Sequence, residues 1–222
     1  MDELKRRAAE EAVEQIESGM VVGLGTGSTA AFAVEAIGRR LGSGDLRDIV
    51  GVPTSARTTE LARSAGIALA TLNDNPRLDL TIDGADEVDP SGNLIKGGGG
   101  ALLWEKIVAA ASDRYIIAVD ESKLVDLLGK FFAVPVEVMP FGWRTHLGSV
   151  VELGGEPVLR IEKGDEPFVT DGGHYIIDCR FPGGISDPVR VDRVLRDRPG
   201  VIETGLFLGM APEVIVGRRE SG

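Results

Sequence analysis

Two stretches, Thr81-Ile-Asp-Gly-Ala-Asp-Glu-Val-Asp89 and Ile95-Lys-Gly-Gly-Gly-Gly-Ala-Leu-Leu-Trp-Glu-Lys-Ile107, concentrate the groups in this chain that can do chemistry. An apolar strand pattern through Leu78, Leu80 and Ile82 delivers two carboxylates, Asp83 and Asp86, into a turn containing Gly84 and Ala85. Lys96 and the glycines Gly97, Gly98, Gly99 and Gly100 then open a helix that carries Glu105. Acids, an ammonium and a row of backbone amides suit proton transfer beside a carbonyl on an anionic substrate. No cysteine or histidine stands among them, which turns the reading away from metal, thiol or Ser-His chemistry.

Glu105 is the candidate base. On a helix beginning near Gly100 its same-face neighbours are Ala101, Leu102, Val108 and Ala109, so it is expected on the core side. Partial desolvation would raise its pKa toward neutrality, where a general base works best. The competing reading is an ordinary first-turn glutamate favoured by the helix dipole. Lys106 is expected to be a surface partner. The turn from Asp83 to Asp86 could simply end a strand, as Asp- and Gly-rich turns often do. Its position at a strand's carboxyl end, where open α/β sheets bind ligands, favours a functional role. Asp89 is expected to be a solvated turn acid. Four consecutive glycines are costly in backbone entropy, so their amides, with Lys96, are read as an oxyanion site. Lys123 follows the apolar strand ending at Val119 and also falls at a carboxyl end.

The loop Gly23-Leu-Gly-Thr-Gly-Ser-Thr-Ala30 joins a strand to a helix. Helix-start amides near Gly27, with the hydroxyls of Thr26, Ser28 and Thr29, form a phosphate cradle. The spacing Gly25-x-Gly27-x-x-Ala30 also fits a loose dinucleotide fingerprint. That alternative wants an acid at the end of the second strand, where this chain has Pro53, Thr54 and Ser55. Three hydroxyls among the glycines favour a monophosphate, with a purely structural turn as the remaining alternative.

The elements that must position these groups alternate strand and helix through the first half, the pattern of a parallel α/β sheet. Strands are expected over 20–24, 48–52, 67–72, 78–82 and 114–119, with helices over 28–41, 55–65 and 100–111. From Phe131 the rhythm changes to strand 134–139, helix 142–153, strands 157–161 and 174–181, helix 188–195 and strand 201–207. That β-α-β-β-α-β order is a ferredoxin-like split pattern. The segment Glu213-Val-Ile-Val216 is expected to return to the first sheet. The division is therefore 1–130 plus 208–222 for the larger domain and 131–207 for the smaller α+β domain.

Composition narrows the function. A net charge of −11 argues against nucleic-acid binding, which needs a basic footprint. An anion pocket must then recruit its cations deliberately, and Lys5, Lys96, Lys106, Lys123, Lys130 and Lys163 are the only lysines. No apolar run is long enough to span a bilayer, and the N-terminus follows an amphipathic helix pattern (Leu4, Ala8, Ala12, Ile16) rather than an apolar signal core. A soluble, cytoplasmic protein is expected. Cys179, the only cysteine, alternates with Tyr175, Ile177 and Phe181 and is read as a buried structural thiol. His146 and His174 lack ligand spacing and are expected at the surface or core edge; neither a metal nor a cofactor is implied.

Gly25-Thr-Gly-Ser-Thr29, Asp83-Gly-Ala-Asp86, Lys96-Gly-Gly-Gly99 with Glu105, and Ser122-Lys123 resemble, in order and spacing, the type A ribose-5-phosphate isomerases. Lys5, Leu128-Gly-Lys-Phe131, Pro135-Val-Glu-Val138, Val169-Thr-Asp171 and Gly205-Leu-Phe207 extend the likeness over essentially the whole chain. The resemblance implies metal- and cofactor-free interconversion of ribose 5-phosphate and ribulose 5-phosphate in the pentose phosphate pathway. It also implies a Rossmann-like domain with a smaller ferredoxin-like one, usually as a homodimer or homotetramer. By matching motif, Glu105 is the proton acceptor; the Thr26–Thr29, Asp83–Asp86 and Lys96–Gly99 segments bind substrate, with Lys123 and Lys5 nearby. Gly100 stands where many members have alanine, which could loosen the loop. Asp83 or Asp86 would help open the sugar ring, and Lys96 with the glycine amides would stabilise the enediolate oxyanion. A noncatalytic sugar-phosphate sensor on the same fold is the alternative, but it would need a DNA-binding module and a basic helix. A deaminase or CoA-transferase relative is a third; for the deaminase, the histidines lie in the wrong places.

Overall fold

The computed structural model describes residues 1–162 and 164–219; Lys163 lies outside them. In chain order the elements begin with α1 (Asp2–Val13), β1 (Val21–Leu24), α2 (Ser28–Ser43), β2 (Val50–Pro53), α3 (Ala56–Ser64), β3 (Ala68–Leu69) and β4 (Leu78–Asp83). There follow β5 (Glu87–Val88), β6 (Leu94–Ile95), α4 (Leu102–Ala110), β7 (Ser112–Asp120), β8 (Val134–Val138) and α5 (Leu147–Glu152). The chain closes with β9 (Glu156–Leu159), β10 (Tyr175–Arg180), α6 (Pro188–Arg196), β11 (Val201–Thr204), β12 (Leu206–Phe207) and β13 (Glu213–Gly217). Two compact units are formed, one of Met1–Ala85, Trp104–Lys123 and Met210–Gly222, the other of Asp86–Leu103 and Leu124–Gly209. Segments 86–103 and 124–130 thus group with the second unit, whereas the boundaries drawn from the sequence put them in the first.

In the first unit six parallel strands run in the order β13-β7-β4-β1-β2-β3. Strands covered on both faces read as near-continuous apolar runs, as Ile116–Val119 of β7 does, and Leu80, Ile82, Ile116 and Ile117 are all at most 2% exposed. Alanines on α1 (Ala8, Ala9, Ala12) and α2 (Ala33, Ala36) join Val13, Val34 and Ile37 in the core that covers β1, β4 and β7. As the sequence predicts, the 213–217 segment returns to this sheet, pairing Glu213 with Ile116 through Gly217 with Asp120. Because all six strands are parallel, Leu24, Pro53, Asp83 and Asp120 end β1, β2, β4 and β7 at the same edge. The strand expected over 67–72 shrinks to Ala68–Leu69 at the sheet's rim.

In the second unit the antiparallel order is β11-β8-β10-β9, and the β-α-β-β-α-β succession matches the split pattern. Val134, Val136, Val138, Ile177 and Cys179 fill its core with Leu195 of α6 and Val150 of α5. Two expectations need correction. The helix over 142–153 is a 3-10 turn, Trp143–His146, followed by the short α5, entered through Gly142 at φ 73°. The strand over 201–207 breaks at Gly205: β11 pairs with β8, while β12 pairs with β6 in a further three-stranded sheet, β12-β6-β5. There the Gly205 N–H donates to Pro135 O at 2.7 Å and Gly205 O accepts the Lys96 N–H at 2.9 Å. A side chain at 205 would overlap both neighbours.

Asp89 is not a solvated acid. Its carboxylate closes the β5–β6 hairpin by accepting the N–H of Ser91 (2.8 Å) and Asn93 (2.9 Å) and the Asn93 amide (2.9 Å). His146 is buried rather than at an edge, and His174 Nδ1 lies 2.9 Å from Glu137 Oε1. Cys179 is fully buried, and that burial, with Asp178 beside it, pushes its thiol pKa far up. No helix among the described residues is long and apolar enough to cross a membrane.

Candidate active site

In the first unit the glycine loop and the acidic turn are joined through one oxygen. Asp83, 1% exposed at the end of β4, accepts on Oδ1 the N–H of Thr26 at 3.1 Å and of Gly84 at 2.8 Å. Gly25 crosses directly over this carboxylate, and any Cβ there would overlap it. The hydroxyl of Thr26 turns inward, lying 2.7 Å from Thr54 Oγ1, 2.9 Å from Ser55 Oγ and 3.1 Å from Thr58 Oγ1. Thr58 Oγ1 in turn donates to Gly25 O at 2.9 Å. Thr26 is thus bound into a knot of hydroxyls that fixes the loop.

Gly27, with φ 109°, leads into the 16-residue α2. Only glycine adopts such a backbone freely. Gly27 and Ser28 are exposed, Thr29 is buried, and Lys5 Nζ donates to Ser28 Oγ at 3.2 Å. A helix start, a hydroxyl and an ammonium therefore meet at one point, a geometry suited to a phosphate. Gly84 packs 3.6 Å from Thr29 Cβ, measured from an added Cβ, which brings the acidic turn beside the same helix start.

Glu105 is 4% exposed in the first turn of α4, and Ala101, Leu102, Val108 and Ala109 are buried, as the spacing predicts. Trp104 and Ile107 are exposed, so the helix turns Glu105 inward and its neighbours outward. Lys106 is half-buried rather than at the surface. Lys123 ends the 3-10 turn Glu121–Lys123 and is half-buried. Asp120 braces that turn, its Oδ1 accepting the Ser122 N–H at 3.0 Å and the Ser122 hydroxyl at 2.5 Å.

In the second unit Asp86 is half-buried and its Oδ2 accepts the Gly98 N–H at 2.8 Å. Lys96 is 2% exposed, with Nζ 5.6 Å from the centre of the Phe207 ring. The loop turns through Gly97 (φ 100°) and Gly100 (φ 81°), and the Gly100 N–H donates to Gly97 O at 3.0 Å. A Cβ at Gly98 would lie 2.8 Å from the Asp86 carboxylate, and one at Gly100 would lie 2.5 Å from the Phe168 ring. Gly98 and Gly99 are the exposed members of the run.

Glu87 escapes sequence reasoning. It is 1% exposed, with Oε2 accepting the Gly129 N–H at 2.6 Å and Oε1 accepting those of Phe131 (2.7 Å) and Phe132 (2.8 Å). Three backbone donors satisfy a buried carboxylate that would otherwise be prohibitively costly. No local pattern in the sequence marks it.

The family model for ribose 5-phosphate isomerase A (phosphoriboisomerase A) matches residues 50–221. The chain is 54% identical over 220 residues to ribose-5-phosphate isomerase A of Synechococcus sp. (strain JA-3-3Ab), covering 99% of this chain and 95% of that one. It is 56% identical over 217 residues to ribose-5-phosphate isomerase A of Gloeobacter violaceus, covering 97% and 93%. Among solved structures, a D-ribose-5-phosphate isomerase in complex with phospho-erythronic acid superposes with a TM-score of 0.95 at 44% identity, covering 99% and 96%. The ribose 5-phosphate isomerase from Plasmodium falciparum gives 0.95 at 39% identity, covering 100% and 97%.

Proposed function

The chain belongs to the ribose 5-phosphate isomerase A family, and from that premise we propose how its residues interconvert D-ribose 5-phosphate and D-ribulose 5-phosphate in the non-oxidative pentose phosphate pathway. The observation that carries the assignment is Glu105, a carboxylate only 4% exposed at the start of α4. Held out of bulk water at the start of a helix, Glu105 is the proton acceptor.

The phosphate binds at the start of α2, held by the amides near Gly27, by Ser28 and Thr29, and by the ammonium of Lys5 with Lys123 in support. Phosphate held away from the reacting carbons supplies binding energy that orients them. Asp83 or Asp86 assists opening of the sugar ring. Glu105 then takes the proton from C2, and the C1 carbonyl oxygen becomes the enediolate oxyanion. Lys96, with the amides of the Gly97–Gly99 run, stabilises that charge. Glu105 returns the proton to C1 while the hydroxyl proton moves from O2 to O1, leaving the ketone at C2. Thr26 serves by bracing the loop, as its hydrogen bonds to Thr54, Ser55 and Thr58 support.

The active form is a homodimer or homotetramer. In support, Phe141 is 92% and Phe131 75% exposed, apolar surface that a lone subunit seldom leaves uncovered. The enzyme works in the cytoplasm, where a chain with a single unpaired cysteine is at home. Turnover of ribose 5-phosphate in D2O tests the route. Transfer through Glu105 predicts deuterium at C1 of ribulose 5-phosphate, because the base exchanges with solvent. A product free of deuterium at every extent of reaction would point instead to direct hydride transfer.

A further inference from the structure

Four glycines in a row hold no conformation by themselves, since each has the widest backbone freedom of any residue. An oxyanion site works only if its donors are fixed before charge develops. Something outside the run must therefore hold it, and within the second unit Arg160 makes the contacts to do so.

Arg160 follows β9, and its N–H donates to Ile176 O at 2.8 Å, anchoring it to β10. Its side chain is 15% exposed and is gripped by Asp178 of β10, with Nε to Oδ2 at 2.9 Å and Nη2 to Oδ1 at 2.5 Å. This two-pronged pairing fixes the plane of the guanidinium. The remaining nitrogen, Nη1, donates to Gly97 O at 2.9 Å and to Gly98 O at 3.2 Å. From the other side, Asp86 Oδ2 accepts the Gly98 N–H at 2.8 Å. The peptide between Gly97 and Gly98 is thus held at both its oxygen and its N–H. Phe168, stacked 5.7 Å from the guanidinium, also closes the space above Gly100. Gly99 is exposed, and its N–H makes no hydrogen bond among the described residues.

We propose that Arg160, oriented by Asp178, is a positioning residue that locks the Gly97–Gly98 peptide and so aims the Gly99 N–H, three residues after Lys96, at the enediolate oxyanion. The proposal rests on the reading of this loop as the oxyanion site. Arg160 acts through the loop, because Asp178 already neutralises its charge and two loop carbonyls occupy its free nitrogen.

The experiment measures kcat and KM for ribose 5-phosphate, thermal unfolding, and inhibition by phospho-erythronic acid, a sugar-acid phosphate whose carboxylate resembles the enediolate. The variants are Arg160→Met, Arg160→Lys and Asp178→Asn, with Lys96→Met reporting separately on the loop. In Arg160→Met, kcat should fall roughly 10–100-fold, the scale of a misplaced catalytic group, with KM changed by less than about 3-fold. Inhibition should weaken in parallel with kcat. Arg160→Lys keeps the charge but cannot pair with a carboxylate in two prongs and hold two carbonyls at once, so it should lose about 10-fold. Asp178→Asn should fall between wild type and Arg160→Met. If Arg160→Met does not fold, Arg160→Lys decides the matter. Wild-type kcat in the folded Arg160 variants, even with a lowered melting temperature, overturns the inference. Retained kcat in Lys96→Met would instead overturn the reading of the loop on which it rests.

Discussion

Asp86 accepts the Gly98 N–H at 2.8 Å, so one of the two carboxylates proposed for ring opening also holds the glycine run. The two duties separate by substitution. Asp86→Asn keeps an acceptor for Gly98 but removes the charge, whereas Asp86→Ala removes both. We expect kcat to fall in Asn and to fall further, by about 10-fold, in Ala, the scale of a disturbed reacting geometry. Equal activities for the two variants in a steady-state assay would mean that the Gly98 contact contributes nothing to turnover.

Thr26 and Ser28 stand two residues apart yet should fail differently. Thr26→Val removes a hydroxyl from the cluster with Thr54, Ser55 and Thr58 and should cost about 1–3 kcal/mol of stability. Ser28→Ala and Lys5→Met should leave stability nearly unchanged and raise KM more than they lower kcat, since phosphate binding is partly uniform along the reaction. Urea unfolding set beside steady-state kinetics distinguishes them. A raised KM in Thr26→Val with unaltered stability would contradict the inward placement of its hydroxyl.

Cys179 should be inert. Burial, with the Asp178 charge as the lesser cause, holds its thiol protonated far above neutral pH, and only the thiolate attacks. At pH 8 a disulfide reagent should label no thiol in the folded protein and one in denaturant. Rapid labelling of the native enzyme would contradict its position in the second core.

His146 should make the fold acid-sensitive. Burial, and secondarily the Arg198 charge, lower its folded-state pKa below the ordinary histidine value, and Arg198 Nε points to its Nδ1 at 3.4 Å. The unfolded chain therefore binds a proton that the folded chain resists, so stability is present above the unfolded pKa of about 6.5 and declines as pH falls below it. Unfolding free energies at pH 7.5 and 5.5 should differ more for wild type than for His146→Gln. An identical pH slope in the two proteins would remove His146 as the cause.

Much of this was legible in the sequence because it rests on periodicity. Leu78, Leu80 and Ile82 alternate with the period of a strand, and Ile116–Val119 is apolar on both faces, as a covered parallel strand is. The return of 213–216 to the first sheet was also legible, since Val214 to Val216 needs a covered site. Two-residue strands such as β5, β6 and β12 carry no period to detect. The break at Gly205 depends on Pro135 and Lys96, far away in sequence. At the candidate site, strand-end position singled out Asp83, the adjoining glycine run Lys96, and apolar neighbours on one helix face Glu105. Side-chain direction within the glycine loop was not legible: Thr26 carries the same hydroxyl as Thr29, yet only its partners around Thr54 show that it turns inward. Glu87 and Arg160 were passed over because their roles lie in backbone groups of distant segments, which no local pattern encodes.

The proposed route makes Glu105 the group that moves the proton between C2 and C1. Glu105→Gln keeps the shape of the side chain and removes its basicity. Its kcat for ribose 5-phosphate should fall by at least about 10²–10⁴-fold, the range for loss of a general base, while KM changes little and the melting temperature stays near wild type. A Glu105→Gln enzyme that turns over within a few-fold of wild type would rule out Glu105 as the base.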